Sequence, residues 1–134
     1  MKKIEYFVAE WDEFQRNVRR LTKKKRFFSL PGQVNELKEE QLEQGIFPGT
    51  LVKRADEPIQ YELYKLRIAN PDTNVGKSGG YRVYYIVVTE SKVVVLLTIY
   101  YKKEDEAVAD AYIEGLVAGV LLDFIPVSET EADI

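Results

Sequence analysis

Residues 64–103, YKLRIANPDTNVGKSGGYRVYYIVVTESKVVVLLTIYYKK, decide the fold of this 134-residue chain. Their runs of β-branched and aromatic residues predict strands at about 62–68, 81–88 and 92–101. Residues 70–80 connect the first two strands, and residues 89–92 close the last two as a hairpin. The stretch also places cations on or beside the strands: Lys65, Arg67, Lys77, Arg82, Lys102 and Lys103. Because burying a charge is costly, this pattern indicates a surface that binds phosphates rather than a plain core sheet.

The flanking sequence predicts one strand and three helices. Residues 4–8 predict a first strand, and apolar spacing from Trp11 predicts a helix behind it. A second helix is predicted from Pro31 to Leu42, because proline is favoured at the first helical position. Residues 46–61 hold two prolines and no clean period, so a loop is predicted there. Apolar residues at steps of three and four predict a C-terminal helix at about 105–124.

The predicted order is therefore β-α-α-β-β-β-α, an α+β fold. An antiparallel sheet is expected to carry the two N-terminal helices on one face, with a C-terminal helix after it and the other face open for binding. One domain is predicted over residues 1–126, followed by a disordered acidic tail at 127–134.

The composition excludes several kinds of site. The chain has no histidine and no cysteine, so neither a disulfide framework nor a thiolate or imidazole metal site is expected. No metal and no cofactor are predicted. The longest apolar runs are well short of the roughly 20 residues that a membrane span needs. The N-terminal residues lack the pattern of a signal peptide, and a cytoplasmic protein is expected.

Charge is distributed unevenly along the chain. All 19 Lys and Arg residues lie at or before Lys103, and nine of the 22 Asp and Glu residues follow it, so residues 1–103 carry a formal charge of +6 and residues 104–134 carry −9. A basic body favours polyanions, whereas the acidic segment opposes them or is only a solvated helix.

The faces of the predicted strands depend on the register. Side chains alternate along a strand, so Lys65 and Arg67 share one face. A symmetric hairpin would place Arg82 opposite Ile99, whereas a single β-bulge would shift the pairing by one residue. Two sets therefore remain candidates for the face that Arg82 occupies: Tyr101 with Lys103, and Tyr100 with Lys102. Tyr84 shares the face of Arg82 in either register.

The turn at residues 76–80, GKSGG, has two interpretations. Backbone N–H groups of such a turn can bind an anion, with Lys77 adding charge. Alternatively, the glycines serve only the turn geometry. Arg82 directly after the turn favours the first interpretation.

Residues 62–106 resemble the strand core of the RelE/ParE superfamily of bacterial toxins. The matching motifs are KLR, GKSGGYRVYY and LLTIYYKKED, in this order and spacing, and FPGT at 47–50 resembles a motif that precedes the second strand in relatives. The nearest branch is that of the RelE- and HigB-like mRNA interferases of type II toxin–antitoxin systems. The resemblance implies a cognate antitoxin as a partner and mRNA, free or on the ribosome, as the substrate.

The resemblance also implies a metal-free endoribonuclease that works by attack of the ribose 2′-hydroxyl. It assigns catalytic roles to residues on two of these strands and at the end of the third: Lys65, Arg67, Arg82, Lys102 and Lys103. Lys65 is the expected base, and Arg67 and Arg82 are expected to stabilise the phosphorane. RNA binding is expected from another set: Lys77, Tyr84, Tyr100 and Tyr101. Two alternatives on the same fold are a ParE-like inhibitor of DNA gyrase and an inactive relative that only binds an antitoxin.

Overall fold

The computed structural model describes residues 3–73, 79–104 and 108–124. Its elements are β1 (Phe7–Glu10), α1 (Asp12–Lys23), α2 (Leu30–Glu36), β2 (Thr50–Ala55), β3 (Tyr61–Ile68), β4 (Tyr81–Val88), β5 (Val93–Tyr101) and α3 (Asp110–Leu121). A π-helical turn (Leu37–Gln41) and a 3-10 turn (Leu42–Gln44) extend α2. The chain then leaves the helix at Gly45, whose φ of 77° is the left-handed conformation favoured by glycine.

The predicted α+β class is confirmed, with one additional strand. Strand β2 replaces the loop predicted at 46–61 and pairs antiparallel with β3, with a register shift between Leu51 and Lys53. The sequence prediction missed β2 because it lies at the edge of the sheet and is exposed along nearly all its length. Such a strand lacks the alternation of buried and exposed residues that marks a strand in the sequence.

The five strands form one sheet in the order β1-β5-β4-β3-β2. All neighbours are antiparallel except β1 and β5, which are parallel. The first strand lies at residues 7–10 instead of the predicted 4–8, because residues 7–10 are the ones that pair with β5.

Helices cover both faces of the sheet, so the prediction of one entirely open face is wrong. On the first face, α1 and α2 bury Phe14, Leu21 and Leu30 against the inward residues of β4 and β5. On the second face, α3 buries the apolar residues Ile113, Val117, Val120 and Leu121.

A β-bulge sets the register of β4 and β5. The pairing shifts between Tyr84 and Tyr85, so Arg82 pairs with Tyr100 and Tyr81 pairs with Tyr101. The symmetric hairpin that would pair Arg82 with Ile99 is therefore wrong, and the bulged alternative is confirmed. This shift places Tyr100 on the face that carries Arg82.

Several sequence predictions lie outside the described residues. These are Lys77 with most of the glycine-rich turn, residues 105–107 of the predicted C-terminal helix, and the tail at 127–134. The domain boundary at residue 126 lies outside them as well. The predicted start of the C-terminal helix at about 105 is wrong, because Ala109 is extended and α3 begins at Asp110.

At Gly80, just before β4, the backbone packs closely against the end of β3. A Cβ atom built on Gly80 would lie 2.1 Å from the carbonyl oxygen of Ile68. Because this oxygen belongs to the backbone, it cannot move aside as the end of a flexible side chain could. This supports the interpretation that at least this glycine serves the geometry of the turn.

We expect Gly80→Ala to lower the free energy of unfolding by about 1–3 kcal/mol, the usual cost of overpacking. Chemical denaturation followed by circular dichroism measures the change. Gly32→Ala is the matched control, since a Cβ at Gly32 in α2 meets no atom within 4 Å. An unchanged midpoint for Gly80→Ala would contradict the close approach of the two strands.

Candidate nucleic-acid interface

Three cations and two tyrosines share one face of the sheet. The register pairs Lys65 with Tyr84, Arg67 with Arg82, and Arg82 with Tyr100. Residues that pair directly across strands point to the same face. We call this set the cationic face: Lys65, Arg67, Arg82, Tyr84 and Tyr100. The structure thus brings together five of the nine residues that the sequence singled out.

Lys65 and Arg67 line an open groove at the edge of the cationic face. The groove has a volume of about 510 Å³, and Pro48, Gly49 and Thr50 form its opposite side. The Lys65 ammonium lies 5.5 Å from the centre of the Tyr84 ring, a cation–π contact. Lys65 is half-buried and Arg67 is exposed, so both side chains can reach a ligand in the groove.

Gly49 lets the groove wall approach Lys65. Its φ is 102°, and a Cβ there would lie 2.4 Å from the Lys65 carbonyl oxygen. This residue belongs to the FPGT motif at 47–50. The FPGT motif therefore marked this side of the groove in the sequence, although strand β2, which begins at its last residue, was not predicted.

Tyr84 and Tyr100 form the buried part of the cationic face. Burial raises the pKa of both phenols, and the Asp110 carboxylate at the start of α3 raises that of Tyr84 further. The neighbouring hydroxyls of Tyr84 and Tyr100 also affect each other, lowering the pKa of Tyr84 and raising that of Tyr100. The positive charges of Lys65 and Arg82 lower the pKa of Tyr100. The two phenols therefore stay neutral near pH 7.

Arg82 is buried, contrary to the predicted surface position. It is 3% exposed and donates a hydrogen bond to the Tyr81 carbonyl oxygen at 3.2 Å. Burial lowers the pKa of its guanidinium, and Arg67 lowers it further by charge repulsion. Arginine nevertheless stays charged at pH 7. Arg82 thus supplies a fixed positive charge within the sheet surface, while Lys65 and Arg67 carry the accessible groups.

Tyr101 lies on the opposite face, in the core beneath the helices. Its ring centre is 5.0 Å from that of Phe27 and 6.0 Å from that of Tyr81. It is 7% exposed. The bulge that turns Tyr100 toward the cationic face turns Tyr101 away from it, so the expected contact between Tyr101 and RNA does not fit this structure.

Lys102 and Lys103 lie in the turn after β5. Lys102 is half-buried, and its backbone N–H donates to the Gly80 carbonyl oxygen at 3.0 Å. Lys103 is exposed. The carboxylate of Glu104, next in the chain, forms an ion pair with Arg20 of α1 at 2.9 Å. The first acidic residue after β5 therefore pairs with α1.

The part of the chain that the structure describes shows no group of three or more acidic, histidine or cysteine side chains that could hold a metal ion. Within the same part, no helix is both long and apolar enough to cross a membrane.

Comparison with known proteins finds structural similarity to RelE toxins. The structure is similar to the isolated RelE toxin of E. coli, with a TM-score of 0.43 and 20% sequence identity over 84% of this chain and 97% of that chain. It is also similar to an archaeal RelE–RelB complex from Pyrococcus horikoshii, with a TM-score of 0.45 and 20% identity over 74% of this chain and 97% of that chain. No protein-family model matches the chain, and no curated protein matches it in sequence.

Proposed function

We propose that this protein is the toxin of a type II toxin–antitoxin system and that it cleaves mRNA as an endoribonuclease. The observation that carries the proposal is the cationic face, where Lys65 and Arg67 line a groove beside the buried charge of Arg82. The motifs in residues 62–106 that resemble RelE- and HigB-like interferases support it. Without histidine or cysteine, the chain has lysine, arginine, tyrosine and carboxylates for the reaction.

The proposed reaction is an internal transesterification. Lys65 takes the proton of the ribose 2′-hydroxyl as the general base, and the oxygen attacks the adjacent phosphorus. The bond from phosphorus to the 5′-oxygen of the next nucleotide breaks, and that oxygen takes a proton from solvent. The products are a 2′,3′-cyclic phosphate and a new 5′-hydroxyl end.

Arg67 and Arg82 stabilise the negative charge that develops on the phosphorane. Arg67 is exposed and can bind a phosphate oxygen through two N–H groups. Arg82 is buried beside Tyr100, where a fixed charge acts in a region of low dielectric and needs no reorganisation during the reaction. The ring of Tyr84 holds Lys65 in place through the cation–π contact.

The proposed partners follow from the same face. The substrate is mRNA, free or bound to the ribosome in the cytoplasm, and a cognate antitoxin neutralises the toxin. Lys102 and Lys103, in the turn directly after β5, add charge for the phosphate backbone.

Production of this chain alone is expected to arrest bacterial growth and to cleave cellular mRNA. Purified protein should cut synthetic RNA, with or without ribosomes, and leave the 2′,3′-cyclic phosphate and 5′-hydroxyl ends that end-specific labelling detects. A DNA gyrase supercoiling assay distinguishes the proposed endoribonuclease from the ParE-like gyrase inhibitor. Inhibited supercoiling with intact RNA would replace the proposed function, and intact RNA with active gyrase would leave only an antitoxin-binding protein.

A further inference from the structure

A second cleft, of about 480 Å³, opens between α1 and the start of α3. Its polar and aromatic lining comes from three elements: Glu13, Arg16 and Asn17 of α1, Thr98 and Tyr100 of β5, and Tyr112 of α3. Tyr100 belongs to the cationic face as well. The cleft and the cationic face therefore meet at Tyr100.

Tyr112 supplies an accessible aromatic surface in the cleft. Its side chain is 48% exposed, unlike the buried tyrosines of β4 and β5. A large aromatic ring left exposed in a cleft fits a flat ligand, and every nucleobase has a face that stacks on tyrosine.

Hydrogen-bond acceptors line the α1 side of the cleft. The side-chain amide of Asn17 donates to the Ile99 carbonyl oxygen at 2.9 Å and to the Thr98 hydroxyl at 3.3 Å. These bonds fix the side chain, and its carbonyl oxygen remains an acceptor. The carboxylate of Glu13 lies four residues earlier and hence on the same side of the helix.

We propose that this cleft binds the guanine base of a nucleotide next to the cleaved bond. Guanine carries adjacent N–H donors on its Watson–Crick edge, the edge by which proteins read unstacked RNA bases. Glu13 and Asn17 accept these hydrogen bonds, and Tyr112 stacks on the ring. Arg16 binds the phosphate of the same nucleotide. The inference rests on the proposed function for RNA as the natural ligand.

Titration of the unmodified protein with the four 5′-mononucleotides, followed by calorimetry, tests the cleft directly. GMP is expected to bind most tightly. Tyr112→Ala should weaken GMP binding about tenfold through loss of stacking, and Glu13→Gln should weaken GMP binding while leaving AMP binding unchanged. The matched control is Phe28→Ala, which removes an aromatic side chain that is 64% exposed and does not line the cleft.

Mononucleotides have no internucleotide bond, so this measurement is independent of RNA cleavage. Equal affinities for the four nucleotides, or a Tyr112→Ala variant that binds GMP as tightly as Phe28→Ala, would overturn the subsite. Guanine-selective binding by a protein that leaves RNA intact would support the subsite and overturn the proposed function. RNA cleavage without selective GMP binding would support the function and overturn the subsite.

Discussion

Lys65→Ala is expected to lower the rate of RNA cleavage by about 10²- to 10⁴-fold, the usual contribution of a positioned base. The structure places Lys65 at the junction of the open groove and the buried tyrosines, where its amine is both accessible and held in place. The fold should survive, because Lys65 is only half-buried and the lost cation–π contact contributes about 0.5–1 kcal/mol. Cleavage of a short synthetic RNA under single-turnover conditions measures the rate, and thermal unfolding measures stability.

Lys65→Arg distinguishes a base from a simple binding charge. Arginine keeps the positive charge and the contact with the Tyr84 ring, but it does not give up its proton at neutral pH. If Lys65 is the base, Lys65→Arg should remain as inactive as Lys65→Ala; recovery of most of the rate would assign Lys65 to phosphate binding.

Lys53→Ala serves as the control for charge on a neighbouring strand. Lys53 lies on β2 and pairs with Glu114 of α3 at 3.1 Å, with both side chains nearly half-exposed. Solvent screens such exposed pairs, which add little to stability, so we expect the variant to be stable and active. An equal loss of activity in Lys53→Ala and Lys65→Ala would mean that overall charge, rather than position, governs the reaction.

The sequence was sufficient to predict the central strands and the cations on them. Strands β3, β4 and β5 lie within one residue of their predicted bounds, because their β-branched and aromatic runs leave little choice of secondary structure. Strand β2 could not be predicted in this way, since an exposed edge strand has no buried face to produce alternation.

Which residues form the site depends on a one-residue shift in strand pairing that the local sequence does not mark. The bulge between Tyr84 and Tyr85 decides that Tyr100 joins the cationic face and Tyr101 enters the core. Both registers satisfied the alternation of the strands, so only packing against the helices selects one. The burial of Arg82 was missed for a related reason, because it depends on how the surrounding side chains pack around it.

Val117→Asp is expected to unfold the domain or cause it to aggregate. Val117 of α3 is 2% exposed and lies in the same apolar cluster as Ile86, Leu97 and Tyr84. A carboxylate there would be buried without a partner, at an effective cost of several kcal/mol. Since small domains are stable by about 5–15 kcal/mol in total, this single change removes a large part of the stability. Solubility and the circular dichroism signal on heating measure the effect.

Val52→Asp is the matched control, because it makes the same chemical change at a residue of β2 that is 51% exposed. Its carboxylate stays in water, so stability should change by no more than about 0.5 kcal/mol. A soluble Val117→Asp protein with the melting temperature of the control would mean that α3 is not docked on the sheet.

The docking of α3 also affects the site, because Tyr84 contacts Lys65 and belongs to the apolar cluster that α3 completes. Loosening α3 should therefore reduce RNA cleavage even in variants mild enough to remain folded, because the ring that positions Lys65 loses its support.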